Sequence, residues 1–190
     1  TKTWIGDEGK ENERPEYITI NLLKDGQPLD KKEVSENTEK TWNYRFANLP
    51  KFENGKKINY AITENQVENY TTSIKGYDVV NTYTPGMVSV TTTKSWNDNQ
   101  NKAGKRPKSI LVQLYKNGIK FGEEVQLSEN NNWMTTWGGL PRESKGIPFK
   151  YEVKEVTRLT DYEVTINNSN MGNIIITNTY TDKTIVDGGN

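Results

Sequence analysis

Short runs in which β-branched and aromatic residues alternate with polar ones recur along the whole chain. Two of these runs, YITINLLKDG and SILVQLYKNG, end in Asp25-Gly26 and Asn117-Gly118, dipeptides that favour a tight hairpin turn. No segment of helical length repeats its apolar residues with the period of an α-helix. With roughly seven short strands in each half, the pattern predicts an all-β fold built from antiparallel, immunoglobulin-like sandwiches.

The chain also contains an internal repeat, because an offset of 92 positions aligns identical residues of the two halves without a gap. The residues Lys2, Trp4, Lys10, Arg14, Pro15, Ile18, Leu22, Lys24 and Gly26 match Lys94, Trp96, Lys102, Arg106, Pro107, Ile110, Leu114, Lys116 and Gly118. The offset later becomes 91, and it is 97 where the NTYT at 81–84 meets the NTYT at 178–181. We therefore predict two tandem β-sandwich domains, 1–85 and 86–182, with 183–190 as a linker or the start of a further unit.

The junction between the two predicted domains, Thr84-Pro85-Gly86-Met87, is short. A short connection limits the freedom of two domains far more than a long Gly/Ser linker would. The sequence thus predicts a head-to-tail, rod-like arrangement.

Composition excludes several kinds of chemistry. The 190 residues include 25 Lys and Arg, 25 Asp and Glu, no His and no Cys, so disulfides, thiolate metal sites and the commonest general base are ruled out. The balanced charge predicts no contact with nucleic acid or an anionic membrane. No signal peptide and no bilayer-length apolar run is present, which favours a soluble segment of a larger protein. We expect no cofactor and no metal, because the oxygen-rich loop 96–101 lacks the glycine and final glutamate of a calcium-binding EF-hand.

Three kinds of polar residue fall on the face of a strand that should point into the core. Side chains alternate between the two faces of a strand, so residues two apart share a face. In the second repeat Lys94 shares a face with Val90 and Trp96, Glu155 with Val153, and Asn178 with Ile174 and Ile176. The first repeat has the same arrangement at Lys2, Glu64 and Asn81.

A lysine, a carboxyl group and an amide would each be costly in a small core unless they satisfied one another, so they are expected to meet. One interpretation is a buried ion pair with an amide hydrogen bond. The other is covalent: burial lowers the pKa of a lysine and raises that of a glutamate, so a neutral amine could attack the asparagine carboxamide while the acid polarises its oxygen and shuttles protons. That reaction would release ammonia and leave an isopeptide bond.

Several motifs resemble those of the Cna B-type domains of Gram-positive surface adhesins and pilins, over essentially the whole chain: TKTW and TTTKSWND, RPEYITINLLKDG and RPKSILVQLYKNG, INYAITE and KYEVKE, and NMGNIIITNTYT. The resemblance implies inverse immunoglobulin-like sandwiches and spontaneous bonds from Lys2 to Asn81 and from Lys94 to Asn178. It further implies that Glu64 and Glu155 promote these bonds. Only one residue precedes Lys2, so we expect this lysine to be less well enclosed than Lys94.

The resemblance also implies a stalk segment of an extracellular, cell-wall-anchored adhesin. Its partners would be the adjacent repeats and the adhesive domain of the same polypeptide, with any host ligand bound elsewhere. Each reaction would consume its own residues once, so a turnover enzyme is not expected. The alternative is a repeat that itself binds a host matrix protein or polysaccharide.

Two further patterns are interpreted as structural. Four of the five tryptophans recur as repeat-matched pairs, Trp4 with Trp96 and Trp42 with Trp133, which favours packing over sugar binding. At the offset of 92, the carboxylates Asp7, Glu8, Glu11 and Glu13 meet Asn99, Gln100, Ala103 and Lys105. Paired catalytic carboxylates of the glycosidase kind are therefore not supported.

Overall fold

The computed structural model describes residues 1–182, so the expectation about 183–190 lies outside the described residues. The first half contains eight strands: β1 (Lys2–Ile5), β2 (Ile18–Lys24), β3 (Gln27–Val34), β4 (Phe52–Glu53), β5 (Lys56–Lys57), β6 (Tyr60–Glu64), β7 (Tyr70–Lys75) and β8 (Asp78–Tyr83). The second half contains ten: β9 (Met87–Asn97), β10 (Ser109–Lys116), β11 (Ile119–Lys120), β12 (Val125–Ser128), β13 (Met134–Pro141), β14 (Glu143–Ser144), β15 (Ile147–Pro148), β16 (Tyr151–Glu155), β17 (Tyr162–Asn167) and β18 (Ile174–Tyr180).

Helical structure in the described part of the chain is limited to two single 3-10 turns, Glu11–Glu13 and Glu129–Asn131. Neither is long enough to cross a membrane. The prediction of an all-β fold without helical segments is confirmed.

Each half forms a sandwich of two sheets. In domain 1 the strand orders are β1-β8-β7 and β3-β2-β6, and in domain 2 they are β13-β9-β18-β17 and β11-β10-β12, with β16 on the other edge of β10. The strand pairs β4-β5 and β14-β15 form small separate hairpins. Apolar residues from both sheets make up each core, for example Ile20, Ile62 and Val79 in domain 1 and Val90, Val112 and Ile176 in domain 2. Two tandem sandwiches are thus present, as the repeat predicts.

The first and last strands of each domain are parallel neighbours. Strand β1 pairs with β8, and β9 pairs with β18, whereas the other strand pairs of these sheets are antiparallel. Because paired residues of parallel strands point to the same face, the inward side chains of the first and last strands lie next to one another.

The prediction of a head-to-tail rod is wrong, because the two domains pack side by side. Ser89, Thr91, Thr93 and Ser95 of β9 point away from the core of domain 2, yet all four are buried. Strand β9 contacts β7 of domain 1. A small apolar cluster of Leu23, Ala61 and Ile175 joins the two domains on the same face.

The side-by-side packing has a physical cause in the sequence of strand β6. Its outward residues Ala61 and Thr63 are small, and both are buried. The matching positions of domain 2 carry Glu152 and Lys154, which remain accessible to solvent. Small residues allow two sheets to approach closely, whereas a charged face would have to be desolvated, and only the sheet of domain 1 is therefore suited to the contact.

Candidate functional site

The lysine and the asparagine of each repeat lie on adjacent parallel strands, two positions apart in register. In domain 1 Lys2 is opposite Val79 and Asn81 is opposite Trp4. Domain 2 has the same arrangement, with Lys94 opposite Ile176 and Asn178 opposite Trp96. All these side chains face the core, and a lysine is long enough to reach a diagonal neighbour. The glutamate comes from the facing sheet, on β6 or β16.

The three predicted residues of domain 1 meet in a closed pocket of the core. The Nζ of Lys2 is 3.4 Å from Oε2 of Glu64, and neither side chain is accessible to solvent. The Thr72 hydroxyl donates a hydrogen bond of 3.2 Å to Glu64 Oε1. Asn81 is completely buried, and its carboxamide lies close enough to Glu64 to lower the pKa of that acid, but neither its Oδ1 nor its Nδ2 makes a hydrogen bond of regular geometry. A buried carboxamide without well-formed hydrogen bonds is costly, so its position beside the lysine and the acid requires an explanation.

The three predicted residues of domain 2 meet in the same way. The Nζ of Lys94 is 3.8 Å from Oε2 of Glu155, with side-chain exposures of 0% and 2%. Asn178 Nδ2 donates a hydrogen bond of 3.1 Å to Glu155 Oε1, while Asn178 Oδ1 has no partner. The carboxyl group therefore lies at the nitrogen that would leave as ammonia rather than at the carbonyl oxygen.

The expectation that Lys2 is less well enclosed than Lys94 is wrong, since both side chains are fully buried. The enclosure comes from the loop that contains Trp42. Lys2 N donates to Trp42 O at 3.0 Å, and Lys94 N makes the equivalent bond of 2.8 Å to Trp133 O. The same backbone contact thus flanks the reactive lysine in both domains.

Burial shifts the pKa of both partners toward their neutral forms. Desolvation lowers the pKa of Lys2 to about 8 and that of Lys94 to about 7, although the neighbouring carboxyl group opposes the shift. Desolvation likewise raises the pKa of Glu64 and Glu155, against the opposing charge of the lysine. Near neutral pH such a site can hold a neutral amine beside a protonated acid. These are the protonation states that attack on a carboxamide requires.

A second cluster, which we call the Asp–Arg–Tyr clamp, recurs beside each site. In domain 1 the Asp7 carboxylate accepts hydrogen bonds from Arg14 Nε (2.6 Å), Arg14 Nη2 (2.8 Å) and the Tyr70 hydroxyl (2.8 Å). In domain 2 Asp98 accepts from Arg106 Nε (3.0 Å), Arg106 Nη2 (2.6 Å) and Tyr162 (2.9 Å).

The ungapped offset of 92 hides this clamp, because it aligns Asp7 with Asn99. The structural partner of Asp7 is Asp98, since the stretch between the tryptophan and the aspartate is one residue shorter in domain 2. The clamp could have been found from an aspartate, an arginine and a tyrosine that recur in this order. They are Asp7, Arg14 and Tyr70 in the first repeat and Asp98, Arg106 and Tyr162 in the second. Both carboxylates are held by an arginine and a tyrosine, so they are structural.

The repeat-matched tryptophans cover the sites by packing, as expected. Trp4 packs edge-to-face on Trp42 and Tyr70, and Trp96 on Trp133 and Tyr162. The lysine Nζ lies over its tryptophan, 3.7 Å from the Trp4 ring centroid and 4.3 Å from that of Trp96.

Comparison with known proteins identifies the family. The model of the Cna protein B-type domain matches residues 1–82 and again residues 90–179. The chain belongs to the Cna B-type domain family. It is 44% identical, over 183 residues, to the collagen adhesin of Staphylococcus aureus; the match covers 96% of this chain and 15% of that protein.

Solved structures of Cna B-type repeats agree with this fold. The chain matches the crystal structure of a single B repeat unit of the collagen-binding surface protein of S. aureus with a TM-score of 0.90 and 44% identity, covering 95% of this chain and 96% of that one. The structure of two B repeat units of the same protein matches equally well, but only 48% of that chain is covered. The chain therefore matches nearly the whole length of that single B repeat unit.

Proposed function

We propose that this chain is a stalk segment in which each Cna B-type domain locks itself with one internal isopeptide bond, Lys2 to Asn81 and Lys94 to Asn178. The observation that carries the proposal is the burial of a lysine, a carboxyl group and a carboxamide together, twice, with shifted pKa values and unpaired polar atoms. A purely structural ion pair would not account for the buried Oδ1 of Asn178, which has no hydrogen-bond partner.

The reaction balances without any external reagent. The neutral lysine Nζ attacks the asparagine Cγ, a C–N bond forms, and the carboxamide nitrogen takes the displaced proton and leaves as ammonia. Glu155, which is hydrogen bonded to Asn178 Nδ2, passes the proton to the leaving nitrogen. Holding the groups in place replaces a catalyst, because positioning alone can supply about 7–11 kcal/mol of a barrier. Each domain reacts once, so the protein is not a turnover enzyme.

The bonds suit a load-bearing role. Each would close a loop of about 80 residues and, by the loop-entropy argument used for disulfides, add roughly 4–5 kcal/mol of stability. The relative is named an adhesin and its structure a surface protein. We propose that the present chain also works outside the cell, in a cell-wall-anchored protein, where it projects an adhesive domain of the same polypeptide. We propose that the boundary between the two domains lies at residues 85–86.

The intact mass of the denatured chain tests the proposal. Each bond expels one ammonia, so we expect a deficit of about 34 Da, with peptide mapping that joins Lys2 to Asn81 and Lys94 to Asn178. Glu64→Ala and Glu155→Ala are matched variants, and each should lose about 17 Da of the deficit in its own domain. A full-length chain with no deficit would leave two buried ion pairs and refute the covalent function.

A further inference from the structure

The interface between the two domains touches the backbone of one reactive residue in each. Gly26, at the tip of the β2–β3 hairpin of domain 1, lies against the backbone of Lys94 and Ser95. A Cβ atom at Gly26 would lie 2.9 Å from the Lys94 carbonyl oxygen and 2.9 Å from Ser95 Cα. There is thus no room for any side chain between the turn of domain 1 and the reactive lysine of domain 2.

The reciprocal contact is made by Gly172, in the loop before β18 of domain 2. A Cβ atom at Gly172 would overlap the carbonyl oxygen of Glu64 and lie 2.8 Å from the backbone nitrogen of Gln66. Domain 2 therefore packs directly on the backbone of the acid that serves the site of domain 1.

Hydrogen bonds fix both contacts at the residues that adjoin the reactive ones. Gln27 Nε2 donates to Ser95 Oγ at 2.7 Å, and Ser95 Oγ donates to Asp25 O at 3.0 Å, beside Lys94. Asn170 Nδ2 donates to Asn65 Oδ1 at 2.8 Å, beside Glu64.

A further bond reaches the acid through its own hydrogen-bond donor. The backbone nitrogen of Thr72 donates to Ser89 Oγ of domain 2 at 3.1 Å, while the Thr72 hydroxyl donates to Glu64. Domain 2 thus contacts the backbone of Glu64 directly and reaches its carboxyl group through Thr72.

We propose that the two domains position each other's reactive groups: the β2–β3 turn of domain 1 holds Lys94 for the bond in domain 2, and the loop at Gly172 of domain 2 holds Glu64 for the bond in domain 1. Gly26 and Gly172 are positioning residues, since neither touches the reacting atoms. The inference rests on the proposed function and adds that each reactive site is completed by a local contact from the other domain.

The physical reason is the narrow tolerance of the reaction. A misplacement of about 1 Å can slow a positioned reaction by about a hundredfold. Lys94 and Glu64 lie on strands whose outer faces form the interface, so a change in docking moves the backbone that carries them. If the reaction depends on docking, each domain forms its internal bond only after both domains have folded and docked.

The test follows the formation of each bond separately in the full chain. Chain recovered in denaturant before it has folded is checked by mass to be unlinked, then refolded, and peptide mapping over time gives the rate for each domain. The variant Gly26→Ala should slow the Lys94–Asn178 bond by tenfold or more while the Lys2–Asn81 bond, in its own domain, forms at the normal rate.

The chain offers a matched control in Gly118→Ala. Gly118 occupies the equivalent hairpin turn of domain 2, with φ of +79° against +82° at Gly26, but a Cβ atom there would meet nothing within 4 Å. Both variants carry the same backbone strain, so a difference between them reports the interface contact alone. Gly118→Ala should leave both rates unchanged.

The reciprocal variant Gly172→Ala should slow the Lys2–Asn81 bond and spare the Lys94–Asn178 bond of its own domain. If either alanine variant fails to refold, Gln27→Ala and Asn170→Ala remove only a hydrogen bond at the same contacts and should give the same crossed pattern more weakly. The inference would be overturned if bond formation slowed only in the domain that carries the substitution, or in neither domain. In that case the deficit of about 34 Da in the unmodified chain would still support the proposed function. Absence of that deficit would refute both.

Discussion

The lysine and the glutamate of each site are charged residues whose burial costs free energy, and the same burial makes them reactive. An ammonium group in a dry core loses its hydration, and the carboxyl group beside it recovers only part of that loss. The pKa of Lys94 therefore falls to about 7, and that of Lys2 to about 8. Burial thus weakens the ion pair between the lysine and the acid, and it also produces a neutral, nucleophilic amine near neutral pH.

The two domains should consequently respond differently to pH. The attacking amine must be neutral, and each lysine becomes protonated as the pH falls through its own pKa. On lowering the pH from about 8 to about 7, the neutral fraction of the amine should fall about fivefold at Lys2 and only about twofold at Lys94, so the Lys2–Asn81 reaction should slow more. Refolding of unlinked chain across a pH series, with the linked peptides quantified for each domain, measures this. Earlier slowing in domain 2 would contradict the assignment.

At the scale of elements, the Asp–Arg–Tyr clamp fastens the loop after the first strand to another strand of the same sheet. In domain 1 it joins Asp7 and Arg14, which follow β1, to Tyr70 on β7. The Asp7 side chain is only 3% exposed. Hydrogen bonds from Arg14 lower the pKa of Asp7 to about 2, and the Tyr70 hydroxyl contributes in the same direction. Strand β1 carries Lys2, so the clamp also steadies the strand from which the amine must attack.

The clamp should make the stability of domain 1 depend on pH in the acid range. An aspartate whose folded pKa lies below its unfolded value contributes stability above about pH 4 and loses it as the pH falls toward about 2, here on the order of 2 kcal/mol. We expect Asp7→Asn to destabilise the domain at neutral pH and this difference to shrink near pH 2. Denaturant unfolding of both chains in an Asn81→Ala background, which prevents the link, measures the effect. A difference that stays constant with pH would contradict the role of the Asp7 charge.

Much at this scale follows from local sequence alone. The strands, the hairpin at Gly26 and the inward direction of Lys94 could be predicted because alternation and turn chemistry are local properties. The clamp could not be found by an ungapped offset, since the loop before Asp98 is one residue shorter than the loop before Asp7. The docking of the domains was missed for a different reason: outward Ser and Thr residues suit solvent and a close sheet contact equally well. Comparing Ala61 with its charged counterpart Glu152 would have revealed the difference.

For the molecule as a whole, the parallel first and last strands decide how force would pass. Tension enters domain 1 at β1 and leaves at β8, its parallel neighbour, and the two strands would be joined directly by the Lys2–Asn81 bond. The same holds for β9, β18 and the Lys94–Asn178 bond. The loops between the linked residues would carry no load, and only the short stretch from Asn81 to Lys94 would bear tension between the two links. The side-by-side docking adds a contact that must separate before that stretch becomes straight.

Stretching single molecules by their two ends should therefore give no domain-sized unfolding step. Each bond shields about 80 residues, and at about 3.5 Å per residue an unlinked domain would lengthen the chain by about 25–30 nm. We expect Glu155→Ala to show one such step, from domain 2, and Glu64→Ala to show one from domain 1, because each variant leaves the other link intact. The unmodified chain should show only the small extension from loss of docking and straightening of residues 81–94. Two full steps in the unmodified chain would mean that neither link bears the load, even if the isolated domains proved highly stable.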